Sequence, residues 1–520
     1  MTRRRGTVAA GNPDTAAAAA DILRDGGNAF DAVLAAMAAA CVAEPVLCSL
    51  GGGGFLLARP AGARPVLYDF FAQTPRARPA EGDCDFFPVL CDFGTTQQKF
   101  HIGMASIATP GLAKGLFEVN GELGRMPLRR IVEPALKLAR EGVALNRLQA
   151  YIFDVVGPIY METEGSRAIF ESKTRPGRLV GEGEIVANPD FADLLENLVI
   201  EGADLFYRGE VAALIDAECR ARGGTLTRAD LEAYRMERRE PLGIEYRGAH
   251  VFTNPPPSLG GLLIGFALEL LKDVDPGAAG AGSIGYLGDL VRVMALTNEA
   301  RVESGLHDSP PAEAAERLLG ERMVDAYRTR VSGHPRAHRG TTHISVVDGD
   351  GNAASLTLSN GEGCGYVVPG TGVMLNNMLG EEDINPRGFH AWPTDTRMSS
   401  MMSPSLILGG GGRVTALGSG GSNRIRTAIL QVLVNILDFG DALETAVIAP
   451  RVHFERDQLN IEPGFRPDVV RALGDAYPEC REWDDLNLFF GGVHAVSADP
   501  AAESFDGAGD PRRGGVAINL

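Results

Sequence analysis

Hydrophobic and polar positions change their period abruptly at Thr341. Residues 341–348 alternate, with Ile344 and Val346 on one face and Thr341, His343 and Ser345 on the other, which is the two-residue period of a strand. Residues 349–352 (Gly-Asp-Gly-Asn) form a hairpin turn, and Ala353–Ser359 is the returning strand. Antiparallel pairing about that turn sets Thr341 opposite Ser359 or Asn360. Small polar residues therefore surround the start of the strand, an odd place for ordinary core packing.

Upstream, the punctuation is helical. Asn12 caps, Pro13 takes the first helical position, Asp14 favours the positive end, and Gly26-Gly27 stops the helix. A second, alanine-rich helix spans about 29–42 and ends before Pro45. Leu50 and four glycines (51–54) then lead into a strand at 55–58. A glycine run of this kind could cradle an anion, but it lacks the Lys and Ser/Thr of a phosphate loop, so close backbone passage is expected. Residues 127–271 read mainly helical, with strand-like pieces at 242–246 and 250–253. A rigid Pro-rich turn at 254–261 feeds the apolar helix 262–271. From 303 to 340 the sequence is polar, with a Pro-Pro step, one amphipathic helix and a basic end, and reads as an exposed linker. His334 and His338 have helical metal-ligand spacing, but Pro335 and the flanking arginines mark a solvated tail.

Composition narrows the field. The 520 residues are 45% hydrophobic and 22% charged, ordinary globular values with ample material for a core. A formal net charge of −18 argues against nucleic acid or an anionic membrane as partner. Seven scattered cysteines lack the spacing of a zinc site, and Cys41 and Cys48 lie in apolar sequence as small buried hydrophobes. No metal or organic cofactor is expected. The basic start is followed by Asn12, Pro13 and Asp14 where a signal peptide needs an apolar run, so a cytoplasmic location is expected. No stretch of about 18 uncharged apolar residues suggests a spanning helix.

A threonine hydroxyl needs a base. Cutting the peptide bond after Gly340 would supply one, because the α-amine of Thr341 has a reference pKa of about 7.7–8.0. Nucleophile and base would then share one residue. Gly340, without a side chain, leaves its carbonyl open to the Thr341 hydroxyl. The segment alone leaves two readings open: self-cleavage that exposes a nucleophile, or a linker running into an ordinary strand.

Nine segments in order carry a resemblance: DILRDGGNAFDAV at 21–33, LGGGGFLLAR at 50–59, ATPG at 108–111, NPPPSLGG at 254–261, TTHISVVDGDGN at 341–352, LNN at 375–377, SSMMSP at 399–404, GSGGSNRI at 418–425 and APRVHFE at 449–455. The chain resembles the γ-glutamyltransferases (γ-glutamyl transpeptidases) of the N-terminal-nucleophile hydrolase superfamily. That resemblance implies a four-layer αββα sandwich, two antiparallel sheets face to face with helices outside. It implies self-cleavage into interwoven pieces, 1–340 and 341–520, which stay associated and could pair as a dimer of these. It implies Thr341 as the self-cleaving nucleophile, Ser359 beside its amine and Asn360 at the substrate site. Ser399 and Ser400 match a pair that holds a substrate carboxylate, and Gly421 and Ser422 match the backbone donors of an oxyanion hole.

The departures concern substrate. Many members place an arginine after the strand at 66–70 to grip a carboxylate; here Ala80 stands near that place, and Arg76 or Arg78 could substitute. Residues that bind the substrate amine align with Met378 and with Glu381 or Glu382; Glu can pair with an ammonium group, whereas Met cannot replace an amide. The leading expectation is an enzyme acting on γ-glutamyl amides such as glutathione, with water or an amine as acceptor. The alternatives are an amidase for another acyl group, resembling glutaryl or cephalosporin acylases, and an unprocessed, inactive relative.

Overall fold

The computed structural model describes residues 5–79, 84–92, 97–306, 310–328, 341–385 and 387–520. Gly340, His334, His338 and Ala80 lie outside the described residues.

Two sheets organise the molecule. The first has seven strands in the order Val516–Asn519, Gly6–Ala10, Thr342–Asp348, Ala353–Ser359, Gly53–Arg59, Val66–Phe70 and Glu237–Arg239. The second has six: Ser504–Ala508, Gly492–Asp499, Val414–Gly420, Ser405–Leu408, Ala249–Thr253 and Leu242–Tyr246. Neighbouring strands in both sheets are antiparallel, and the sheets pack face to face through the Thr342–Asp348, Ala353–Ser359, Val414–Gly420 and Gly492–Asp499 strands. Helices Pro13–Arg24, Ala29–Ala43 and Leu112–Leu123 pack on the first sheet, with Leu128–Glu141 outside Ala29–Ala43; Gly260–Leu271 and Arg424–Leu437 pack on the second, with Ile284–Glu303 against Gly260–Leu271. This is the αββα sandwich, and segments from both sides of residue 340 contribute strands to the seven-stranded sheet.

Local chemistry explains the outer layer. Asn12 Oδ1 accepts from the Asp14 N–H at 2.8 Å with Pro13 in the first turn. Asn28 and Asp31 cap the second helix reciprocally. That helix, Ala29–Ala43, is buried throughout, and its alanines let the flanking layers close on it. The glycine run has the use expected of it. A Cβ on Gly51 would sit 2.4 Å from the Met374 carbonyl oxygen, and one on Gly52 2.4 Å from that of Ser359.

The hairpin register is as the turn dictates: Thr342 pairs with Leu358 and His343 with Thr357. Ile344 and Val346 join the core under the Ala29–Ala43 helix, while His343 and Ser345 face the second sheet. One expectation needs correction. Part of the presumed linker is two helices, Pro311–Leu319 and Glu321–Arg328, packed on the Gly260–Leu271 helix. Ala314, Leu318, Val324 and Tyr327 are buried, and the Tyr327 ring meets Phe266 edge-on at 5.6 Å. Two short apolar stripes among many charges suffice to dock a helix when an apolar partner is already in place.

Candidate active site

Thr341 stands immediately before a central strand of the first sheet and is 4% exposed. Its carbonyl oxygen accepts from Arg513 Nη1 at 3.0 Å. Gly420 lies against the same carbonyl so closely that a Cβ there would be 1.7 Å from the oxygen. The next residue is fixed separately: the Thr342 hydroxyl donates to Glu44 at 2.7 Å, and Thr15 donates to the other carboxylate oxygen at 2.8 Å. The guanidinium of Arg513 lies over Gly420 and Gly421 and its aliphatic stem over Gly492, none of which has a side chain to obstruct it.

These groups are buried and charged, so each must be compensated. Burial pushes Glu44 above its usual carboxylate range, against the two threonine hydroxyls and Arg513. Burial likewise lowers Arg513 to about 10, against Asp510, Glu362 and Glu44, so it remains a cation at neutral pH. Asp510 is itself held by Arg451 at 2.7 Å and by the Val493 N–H at 2.8 Å.

A polar chain runs between the sheets behind Thr341. The Ser345 hydroxyl donates to the His494 carbonyl at 3.1 Å, so it accepts from His343 Nε2–H at 2.9 Å. His343 Nδ1 then accepts from the Thr357 hydroxyl at 2.8 Å. Burial holds His343 well below the usual histidine range and pushes His494 down to about 4. Both rings are neutral and structural, and a Cβ on Gly418 would be 2.4 Å from the His343 ring.

In front of Thr341 is a cavity of about 30 Å³ lined by Thr341, Ser359, Glu381, Asp383, Ser400 and Ser422 among apolar residues including Phe71 and Met378. The fold thus brings together Thr341, Ser359, Glu381, Ser400 and Ser422, five residues separated in sequence by up to 81 positions (422 − 341). The loop carrying Glu381 and Asp383 is tied down by Asn385, whose amide donates to the carbonyls of Met378 and Glu381 at 2.9 and 2.8 Å. The Ser400 segment hangs on the turn before the Gly260–Leu271 helix: Leu259 N–H and the Ser258 hydroxyl donate to the Ser400 carbonyl at 2.8 and 2.9 Å.

A turn follows Gly420. Gly421 has φ +122° and Ser422 has φ +51°, and the Ser422 hydroxyl donates to Asp383 at 3.0 Å. Among the hydrogen bonds of the described residues, the N–H groups of Gly421 and Ser422 donate to no protein acceptor.

A family model described as gamma-glutamyltranspeptidase matches residues 15–520. The chain belongs to the γ-glutamyltranspeptidase family. It is similar to the glutathione hydrolase proenzyme of Escherichia coli (strain K12), 32% identical over 549 residues and covering 98% of this chain and 90% of that one. It is also similar to the acylase ACY 1 proenzyme of Pseudomonas sp. (strain SE83), 31% identical over 485 residues, 90% and 86% covered. Its fold matches the crystal structure of cephalosporin acylase from Bacillus halodurans with a TM-score of 0.85 at 26% identity, covering 99% and 96% of the two chains. This chain is an enzyme of the γ-glutamyltranspeptidase kind.

Other residues expected at the site of this γ-glutamyltranspeptidase family member are placed elsewhere. Arg76 pairs with Asp395 at 3.3 Å, and Arg78 donates to the Trp392 carbonyl at 3.0 Å; neither lines the Thr341 cavity. The residue beyond the strand at 66–70 that does line it is Phe71, stacked on Phe55 at 5.2 Å. Side chains alternate along an extended chain, so one position decides which residue faces the cavity. Glu382 is outside the lining, between Glu381 and Asp383 that belong to it. Asn360 is fully buried and also outside it; among the described residues its amide has no hydrogen-bond partner. Ser399 lines an adjacent cavity rather than this one. Sequence reasoning missed Arg513, Glu44, Asp383 and Phe71. Glu44 did leave a signal, as the sole charge between Asp31 and Arg59.

Proposed function

We propose that this enzyme cleaves itself after Gly340 and then acts as an amidase and acyltransferase through Thr341. The observation that carries this reading is the shared cavity: Thr341, its carbonyl held by Arg513, faces Ser359, Ser400, Ser422 and two carboxylates. After cleavage, the Thr341 amine accepts the hydroxyl proton as Oγ attacks the substrate carbonyl. The N–H groups of Gly421 and Ser422 receive the oxyanion, and loss of one such donor costs about 2.7–4 kcal/mol in comparable enzymes. Collapse expels the amine, which takes the proton from the Thr341 ammonium and leaves an ester. Water or a second amine, deprotonated by the same group, releases the acyl half.

An acyl half with an amino group fits the cavity, because Glu381 and Asp383 line it and, among the described residues, no lysine or arginine does. A γ-glutamyl group meets that requirement, and the names of relatives that hydrolyse glutathione support it. The lining favours a second reading for the remainder of the acyl half: with Phe71 in the cavity, a free carboxylate finds only serine hydroxyls, which suits an acylase of different specificity such as the ACY 1 relatives. Thr341→Ala decides the mechanism. A denaturing gel should show two fragments for the wild type and one chain for the variant, with turnover of γ-glutamyl anilide lost; turnover surviving in the variant would refute the mechanism.

A further inference from the structure

Beside the reaction cavity is a larger one of about 180 Å³, lined by Leu259, Asn385, Arg387, Trp392, Met398 and Ser399 among others. Ile384 lines both cavities. Adjacent serines divide between them, Ser400 facing the first and Ser399 the second. We propose that the larger cavity is an acyl subsite, which receives the far end of the acyl group and is shaped for an apolar terminus the size of an aromatic ring with one polar atom on it. This rests on Thr341 being the nucleophile.

Size is the first reason. A volume of about 30 Å³ admits roughly one or two waters, whereas an apolar cavity of roughly 150 Å³ is known to hold benzene. An acyl chain longer than its carbonyl and first carbons must leave the reaction cavity, and past Ile384 there is room for a ring. Chemistry is the second. Trp392 is 5% exposed, and its Nε1–H is without an acceptor among the described residues; Asn385, 6% exposed, has an unpartnered Oδ1. Buried polar atoms are ordinarily satisfied, so one donor and one acceptor left open beside a cavity indicate where a ligand completes them. A ring hydroxyl both accepts and donates. The acyl rather than the amine half is assigned here because the acyl group stays covalently bound between the two steps while the amine must leave and be replaced.

The test separates the subsite from the mechanism. Trp392 and Trp483 are the two tryptophans of the chain, so Trp483→Phe leaves Trp392 as the sole tryptophan emitter. In a Thr341→Ala, Trp483→Phe protein, 4-(4-hydroxyphenyl)butanoate should change Trp392 emission saturably, and bind about tenfold or more tighter than butanoate, from burial of the ring. No saturable change, or equal affinities, would overturn the subsite. With otherwise wild-type enzyme, kcat/KM for the hydroxyphenylbutanoyl anilide should exceed that for the butanoyl anilide by a similar factor. Trp392→Phe should cut that preference severalfold; an unchanged preference counts against the assignment. If Thr341 is not the nucleophile, anilide turnover will be insensitive to Thr341→Ala, while the emission titration still decides the subsite.

Discussion

Ser422 sits at φ +51°, a conformation that costs a residue with a side chain roughly 1–2 kcal/mol. Its hydroxyl bond to Asp383 offsets that cost by about 1.5–3 kcal/mol, the usual range for a bond to a charged group. Two substitutions separate the terms. Ser422→Ala loses the hydrogen bond and keeps the strain, so it should destabilise by about 1.5–3 kcal/mol. Ser422→Gly loses the same bond but relieves the strain, less about 0.4–1 kcal/mol for the looser unfolded chain. The glycine variant should therefore be the more stable of the two by about 0.5–1 kcal/mol. Urea midpoints by circular dichroism, in a Thr341→Ala background so that one intact chain is compared throughout, measure the difference. An alanine variant as stable as the glycine variant would refute the assignment of strain to this turn. In enzyme with Thr341, both variants keep the backbone N–H. Each should lose less than the 10²–10³ in kcat that removal of an oxyanion donor brings.

Three further outcomes follow from the buried groups. His494, lowered to about 4, stays neutral in the fold where the unfolded chain takes up a proton below about 6.5, so its contribution to stability is lost as pH falls from 6.5 towards 4. The slope of unfolding free energy between pH 6 and 5 should fall by about 1.2 kcal/mol per pH unit in His494→Gln; an unchanged slope would show that His494 does not titrate differently in the two states. Arg513→Met takes the charged donor from the Thr341 carbonyl and a nearby cation from Glu44, while Asp510 keeps Arg451 and Arg512, and should destabilise by about 1.5–3 kcal/mol, read from urea midpoints, with fragments forming more slowly on a gel. Arg513→Lys recovering part of both losses would support charge as the cause. Phe71→Arg should raise kcat/KM for γ-glutamyl anilide relative to an amino-acyl anilide lacking the carboxylate by about tenfold, the factor that one charge-assisted bond supplies; an unchanged ratio would show that Phe71 does not set carboxylate preference.

Much of the site was legible because its backbone is. The alternation from 341 to 348 and the Gly-rich turn fix the register, and the register alone puts Ser359 across from Thr341. The glycine run at 51–54 announced close passage without revealing that the carbonyls of Met374 and Ser359 are what it passes. What could not be read were partners fixed by contact between distant segments. Arg513 reaches the Thr341 carbonyl across 172 positions, and nothing periodic marks it. Phe71 and Arg76 differ in sequence by five places, yet only the first faces the cavity. The two docked helices at 311–328 were hidden because their stripes are narrow and their charges many. Burial there depends on a partner surface that sequence does not display.

The way Thr341 is held has a consequence for mechanism. A nucleophile can be positioned by bonds to its reactive atom, but each such bond must be broken or moved when that atom attacks. Here Arg513 and Gly420 act on the carbonyl of Thr341, and Glu44 acts through the hydroxyl of the following residue. None of these three contacts uses the Thr341 hydroxyl or amine, so none has to change between self-cleavage, acylation and deacylation. The same grip serves all three steps, because what it fixes is the point at which the strand begins. Rigid placement by the scaffold rather than by the reacting atoms is what preorganisation requires. It also explains why a buried cation and two buried carboxylates are tolerated here, where two sheets meet and the desolvation they impose is only partly returned by their pairing.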